Sequence, residues 1–247
     1  MGLVETEAIV LRTYNLAEAD KIVVCLTRKQ GVVRAVARGA RKLKSRFGAG
    51  LEPFTLITLG YYEKEGRELL SVSQAEILQS YFSLAQNTEL VASLFYFGEL
   101  IVEFSPPHEP NENLFRMVRA CLEAVSAVPE GVRAIVRYFE VWLLKLSGFL
   151  PELRVCIECG LRFKAESQVY FNAEQKPLCE RCSQGQGTAL SREAYAHLLA
   201  ILRKSPRDFA SAAQSLSPAA LGELSALTQR LIARVLERTP RAQGSAG

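Results

Sequence analysis

Four of the six cysteines in this 247-residue chain fall in a spacing that specifies a chemistry. Cys156-x-x-Cys159 is followed, after nineteen residues, by Cys179-x-x-Cys182. Two such knuckles about 15–20 residues apart are the layout of a four-thiolate zinc site. Each knuckle folds back so that two sulfurs converge, and Gly160 permits the tight turn after the first. Four thiolates complete a tetrahedral ion and leave no position for a reacting water, so the expected Zn2+ is structural. Cys25, in a strand-like run, and Cys121, in a helix-like run, read as small core residues. Disulfide scaffolds are small and loop-rich, so a reducing compartment suits all six thiols better.

The second chemically suggestive pattern is one of charge. From Lys21 to Leu51 there are nine basic residues and no acidic one, in a chain whose totals are 30 basic and 26 acidic. Arg34 and Arg38 share one face of a strand-like run with Val32 and Val36. They lead into a Gly-bounded loop carrying Arg41, Lys42, Lys44 and Arg46, which reads as mobile until it binds something. Cations that track a backbone, with aromatics for base stacking, are the equipment of a single-strand binder. Phe47, Tyr61 and Tyr62 are the candidate aromatics. The competing reading is a solvated loop whose charges keep a sheet edge from pairing.

Catalytic patterns are missing. The chain has two histidines, His108 in a proline-rich loop and His197 in a helical run, both read as surface or packing residues. There is no Gly-x-Ser-x-Gly elbow, no phosphate-cradling Gly-x-x-x-x-Gly-Lys loop and no dinucleotide fingerprint. Glu63 and Glu65 sit in a turn, where solvated charge is the default, and Trp142 lies on an apolar helix. The expectation is a protein that is not an enzyme.

The elements that must position these residues follow from hydropathy period. Ala8–Thr13, Lys21–Thr27, Val32–Arg38, Phe54–Tyr62 and Glu68–Leu78 are short β-branched runs separated by turn residues. Five strands in about 80 residues predict a small barrel of the OB type, with an SH3-like barrel as the competitor that counting cannot separate. From about Thr88 the period becomes helical, over Leu90–Phe104, Leu114–Ala127 and Val132–Leu146, broken at SPPHEPN and VPEG. Ser191 caps a helix over Arg192–Arg203, and Ser217-Pro218 starts one that runs to about Arg238. The reading is thus an α+β multidomain chain. A five-stranded OB-type β-barrel (1–80) is followed by an α-helical domain (81–238) with an inserted four-cysteine zinc module (153–185), and 239–247 form a disordered tail. The apolar run Leu90–Phe104 is interrupted by two glutamates and is too short for a membrane span. With no leader pattern at the N-terminus, the expected location is cytoplasmic.

The order of these motifs resembles the bacterial RecO family of DNA repair proteins. The likeness rests on EAIVLRTYNLAEADKI (7–22), ARGARKLKSRF (37–47), LEPFTLITLGYY (51–62) and KLSGFLPELRVCIECG (145–160), and it covers nearly the whole chain. The resemblance implies an N-terminal OB fold, a helical domain with a zinc module, and a non-enzymatic, nucleoid-associated role in the RecF recombination pathway. It implies binding of single- and double-stranded DNA, annealing of complementary strands, and work with RecR to load RecA onto DNA coated by single-stranded DNA-binding protein. By position, Arg34, Arg38, Arg41, Lys42, Lys44 and Arg46 would form the DNA surface. The family also takes the acidic, apolar-ended tail of single-stranded DNA-binding protein on the helical domain. Arg116, Arg119, Arg133 and Arg137 are the best-placed cations for that tail. Two other classes remain in play. A ligase-like enzyme also combines an OB barrel with a four-cysteine module, but no Lys-x-Asp-Gly tetrapeptide occurs here. A protein adaptor would use the barrel for a partner and leave the basic loop solvated.

Overall fold

A computed structural model describes residues 2–63, 69–81, 84 and 87–236. The turn around Glu65, the end of the last helix beyond Leu236 and the tail at 239–247 lie outside the described residues. Five strands form the N-terminal part: β1 (Gly2–Leu16), β2 (Asp20–Thr27), β3 (Gly31–Ala37), β4 (Thr55–Glu63) and β5 (Leu70–Ser80). They close as a barrel in the order β1-β2-β3-β5-β4, with β1 pairing back onto β4. A meander would have run one to five in order. Placing β5 between β3 and β4 is the Greek-key crossing of an OB barrel, which strand counting could not distinguish from an SH3-like one.

Alternation fills the barrel. Ala8 and Val10, Val23 and Cys25, Val33, Ala35 and Ala37, Ile57, Leu59 and Tyr61, and Leu70 and Val72 all point into one buried cluster. Burial raises the Cys25 thiol to about 12, so it is an inert filler. The alternation in β1 is broken by a bulge between Val10 and Arg12. One extra residue reverses the facing of everything after it, so Arg12 and Tyr14 turn outward.

Helix α1 (Thr88–Phe104) starts at Asn87, whose side chain accepts from the Glu89 and Leu90 amides. It lies on the barrel where Gly98 meets the Leu11 carbonyl; a Cβ there would stand 3.4 Å from it. Phe54, held at φ 60, places its ring edge-on to Phe95 at 5.5 Å. The following segment returns to the barrel, with Val32 bridged to Pro107 and the His108 amide donating to the Val32 carbonyl. Arg28 then clamps the start of α2 (Glu112–Ala127) by its contact to Glu112 at 2.6 Å. The compact unit that holds the barrel extends to Leu122.

The second compact unit begins at Glu123. It contains α3 (Val132–Leu146), α5 (Arg192–Ile201), α6 (Pro206–Ala212) and α7 (Pro218–Leu236). Between α3 and α5 lies the cysteine module, built on a three-stranded sheet of β6 (Val169–Phe171), β7 (Pro177–Cys179) and β8 (Thr188–Leu190) with the short α4 (Glu180–Ser183). The sheet and α6 are too short to show a period in sequence. Trp142 is only half-buried: its indole N–H donates to the Ile201 carbonyl, while Lys145 lies 4.3 Å over its ring. No helix among the described residues is long and apolar enough to cross a membrane.

Candidate functional site

The cysteine centre is assembled from two hairpin ends. In the first, the Phe163 amide donates to the Arg154 carbonyl and Val155 bridges Arg162, so two short arms bring Cys156 to the turn. The Cys156 amide bonds the Leu161 carbonyl, and Gly160, at φ 71, closes back on the Cys156 carbonyl. That left-handed conformation is the reason glycine stands there. In the second, Cys179 ends β7 and Cys182 lies one turn on in α4. The Ile157 amide bonds the Pro177 carbonyl and ties the two knuckles together.

All four sulfurs lie within 4.8 Å of one another, and Cys159 Sγ is 3.7 Å from Cys179 Sγ. Tetrahedral zinc with bonds of about 2.3 Å requires sulfur separations of about 3.8 Å, so the donors fit that ion. Their acidities are split. Burial opposes a charge on Cys156, but backbone donors at Cys179, Cys159 and Glu158 outweigh it and bring the thiol down to about 6. Cys182 is pushed up to about 12, first by hydrogen bonds shared with Cys179 and Cys159. Four thiolates this close need a cation to ionise together. Arg181, between the second pair in sequence, gains basicity from the neighbouring Cys159 and Cys182 sulfurs; spacing alone gave no sign of this partner.

The basic window divides into three groups. Lys21 pairs with Glu52, Arg28 bridges Glu7 and Glu112, and Lys29 reaches the Glu5 carbonyl, so these three brace the barrel. Arg41 donates to the Ala17 carbonyl, and Arg46 donates to the Val72 carbonyl and lies 4.8 Å over the Phe47 ring. Arg34, Arg38, Lys42 and Lys44 are exposed, and their side chains make no hydrogen bond or ion pair among the described residues.

The loop that carries them is held near both ends. Asp20 accepts from the Gly39 amide, and the Arg41 amide bonds the Ala19 carbonyl. At the far end Phe47 plugs the barrel core, 3% exposed. Phe47 and Tyr61 are therefore withdrawn as stacking aromatics, since both are core; Tyr62 is 39% exposed. Tyr14 takes their place. It is 49% exposed and lies in register with Ile22, which pairs in turn with Val36, beside Arg34 and Arg38 on the outer face. An open cleft of about 540 Å3 adjoins Arg38, between β3 and β5.

The four arginines expected to hold a protein tail fare unevenly. Arg116 and Arg133 are exposed and Arg119 is half-buried. Arg137 is a correction: it is 8% exposed, pairs with the fully buried Glu140 at 3.1 Å and donates to Ser225. Glu140 also accepts from Thr228 at 2.6 Å. Arg137 thus pins α3 to α7 and is not free for a partner, because taking it away would remove the cation beside a buried carboxylate.

Residues 1–81 match the family model described as Recombination protein O N terminal, and residues 85–243 match the one described as Recombination protein O C terminal. A protein of Anaeromyxobacter sp. (strain K) named DNA repair protein RecO is 35% identical over 222 residues, 89% of this chain and 86% of that one. One of the same name from Bifidobacterium longum (strain DJO10A) is 37% identical over 182 residues, 73% of this chain and 74% of its own. Another from Koribacter versatilis is 38% identical over 158 residues, and this match spans 64% of each chain.

Proposed function

The chain belongs to the RecO family of DNA repair proteins, and on that premise we propose that it is a non-enzymatic recombination mediator whose barrel binds DNA. The observation that carries the reading is the set of four unpaired cations, Arg34, Arg38, Lys42 and Lys44, on one tethered face beside an exposed tyrosine. Cations that brace a fold are spent on carboxylates, whereas these are left free for an external anion. Phosphates would lie along Arg34, Arg38 and the loop, and a splayed base would stack on Tyr14. Neutralising the backbones lowers the repulsion between strands that must pair, so annealing needs no catalytic group. RecR, single-stranded DNA-binding protein and, through them, RecA are the partners this role requires. The cysteine centre would hold one Zn2+ through Cys156, Cys159, Cys179 and Cys182, bracing the second unit without taking part in DNA chemistry.

The test is charge reversal on the barrel. Arg34→Glu with Arg38→Glu should weaken binding to single strands of any sequence. It should also flatten the dependence of log affinity on log salt by about 0.7 for each phosphate no longer neutralised. A double variant with unchanged affinity and slope would sink the assignment. Strand annealing separates the adaptor reading, because an adaptor would leave the uncatalysed rate as it is.

A further inference from the structure

The cysteine module and α5 enclose a groove of about 410 Å3 within the second unit. Its floor is apolar, with Phe163 and Leu199 prominent, and its rim carries Arg154, Lys164, Arg203 and Lys204 with no carboxylate among the lining residues. All four cations are exposed, and none of their side chains makes a hydrogen bond or ion pair among the described residues. Arg203 and Lys204 follow the C-terminus of α5, where cations complement the helix dipole. That accounts for two of them. Arg154 and Lys164 sit on the two arms of the first cysteine hairpin and belong to no helix.

We propose that this groove is a second nucleic-acid site, which takes the phosphate backbone of a single strand on its rim and a base against Phe163. The inference rests on the annealing role proposed above, and an electrostatic count favours it. Four free cations on the barrel neutralise about four phosphates, one short length of one strand. Bringing two strands together needs a second set, and the groove supplies one of equal size on the other compact unit. Phe163 is half-buried, held edge-on to Tyr195 at 6.1 Å, so its ring is presented in a fixed orientation. An aromatic held among unpaired cations is the pattern of sequence-tolerant single-strand binding. The hairpin's place in the cysteine module also gives the metal centre a use, since it fixes two of the four rim cations.

The experiment is a stoichiometric titration of the full chain with a deoxythymidine oligonucleotide of about 8 nucleotides, short enough for one site. Wild-type protein should take two oligonucleotides per chain. Lys164→Glu combined with Arg203→Glu and Lys204→Glu should take one, as should Arg34→Glu with Arg38→Glu, and both should anneal complementary strands more slowly. Arg203→Gln with Lys204→Gln, which removes charge without reversing it, should weaken the second binding event while lowering the thermal melt only by the small amount that loss of the helix-dipole contacts entails. The proposal is overturned if the groove variants take as many oligonucleotides as wild type and anneal at its rate. If the barrel reversal abolishes binding in that same series, DNA binding by the barrel stands and the groove alone fails. If neither reversal changes binding, the barrel reading fails as well. A synthetic peptide of aspartates ending in phenylalanine provides the last arm. Binding of that peptide to wild type but not to the groove variants, with oligonucleotide stoichiometry unaltered, would make the groove a protein site and overturn the proposal.

Discussion

Tyr14 and Arg34 show how much a single bulge decides. Alternation from Ala8 and Val10 would send Tyr14 into the barrel, but the extra residue between Val10 and Arg12 turns it out onto the face of the free arginines. Stacking a base on a protein aromatic contributes about 1–3 kcal/mol, so Tyr14→Ala should weaken single-strand binding by that much. A duplex keeps its bases stacked on one another and should lose far less. Equal losses for the two forms, measured at one salt concentration, would remove Tyr14 from the binding face. Arg137 makes the opposite point at the same scale. An arginine on an amphipathic helical run is committed to a buried glutamate, and no count of charges along the chain distinguishes it from Arg133, which is exposed.

Among the elements, α5 and α7 are joined by a reciprocal brace at their N-termini. Glu193, in the first turn of α5, accepts from the Ser217 amide at 2.8 Å and its hydroxyl at 2.7 Å, and Ser217 in turn accepts from the Ala220 amide of α7. Glu223 of α7 accepts from the Ser191 amide at 2.6 Å, and Ser191 caps α5. The Ser217 hydroxyl, then its amide, hold the Glu193 carboxyl below its ordinary value of 4.5. A carboxylate lowered on folding stabilises the fold above its ordinary value, and that contribution is lost as pH falls through the lowered one. Glu193→Gln should therefore reduce the melting temperature at neutral pH and leave it less sensitive to acid below about pH 4.5 than wild type. Parallel pH profiles for the two proteins would show that the brace does not depend on the charge. The loop at residues 39–47 is an element in the same sense. Asp20 holds it at one end and Phe47 at the other, and its cations lie between these two anchors.

For the whole molecule, the proposed metal and barrel DNA sites lie in different units. The cysteine centre and the groove beside α5 belong to the second compact unit, and the tethered basic face belongs to the first. If the proposed Zn2+ is bound, chelation should lower the thermal stability of the second unit and, with it, the second oligonucleotide event, because the hairpin carrying Arg154 and Lys164 would lose the ion held at its turn by Cys156 and Cys159. The barrel event should survive. Loss of all DNA binding on chelation, with the melt unchanged, would reverse this order of dependence and place the metal in the DNA site itself.

Much of this was legible along the chain because it depends on local spacing. Cys-x-x-Cys pairs, the acid-free run from Lys21 to Leu51, the strand and helix periods and the caps at Ser191 and Ser217 all act over a few residues. Each survives in whatever fold contains it. The order of β5 between β3 and β4, the facing of Tyr14 and the burial of Phe47 and Arg137 are different in kind. So are the partners that occupy Lys21, Arg28 and Lys29 while leaving Arg34, Arg38, Lys42 and Lys44 free. These depend on residues distant in sequence, such as Glu52, Glu112 and Ser225, reaching particular cations in space. The chain alone determined that a four-cysteine module and a basic barrel exist. Which cations remain free for an anion was decided only when the tertiary structure had paired the rest, because a charge is free to bind only if nothing in its own fold has neutralised it.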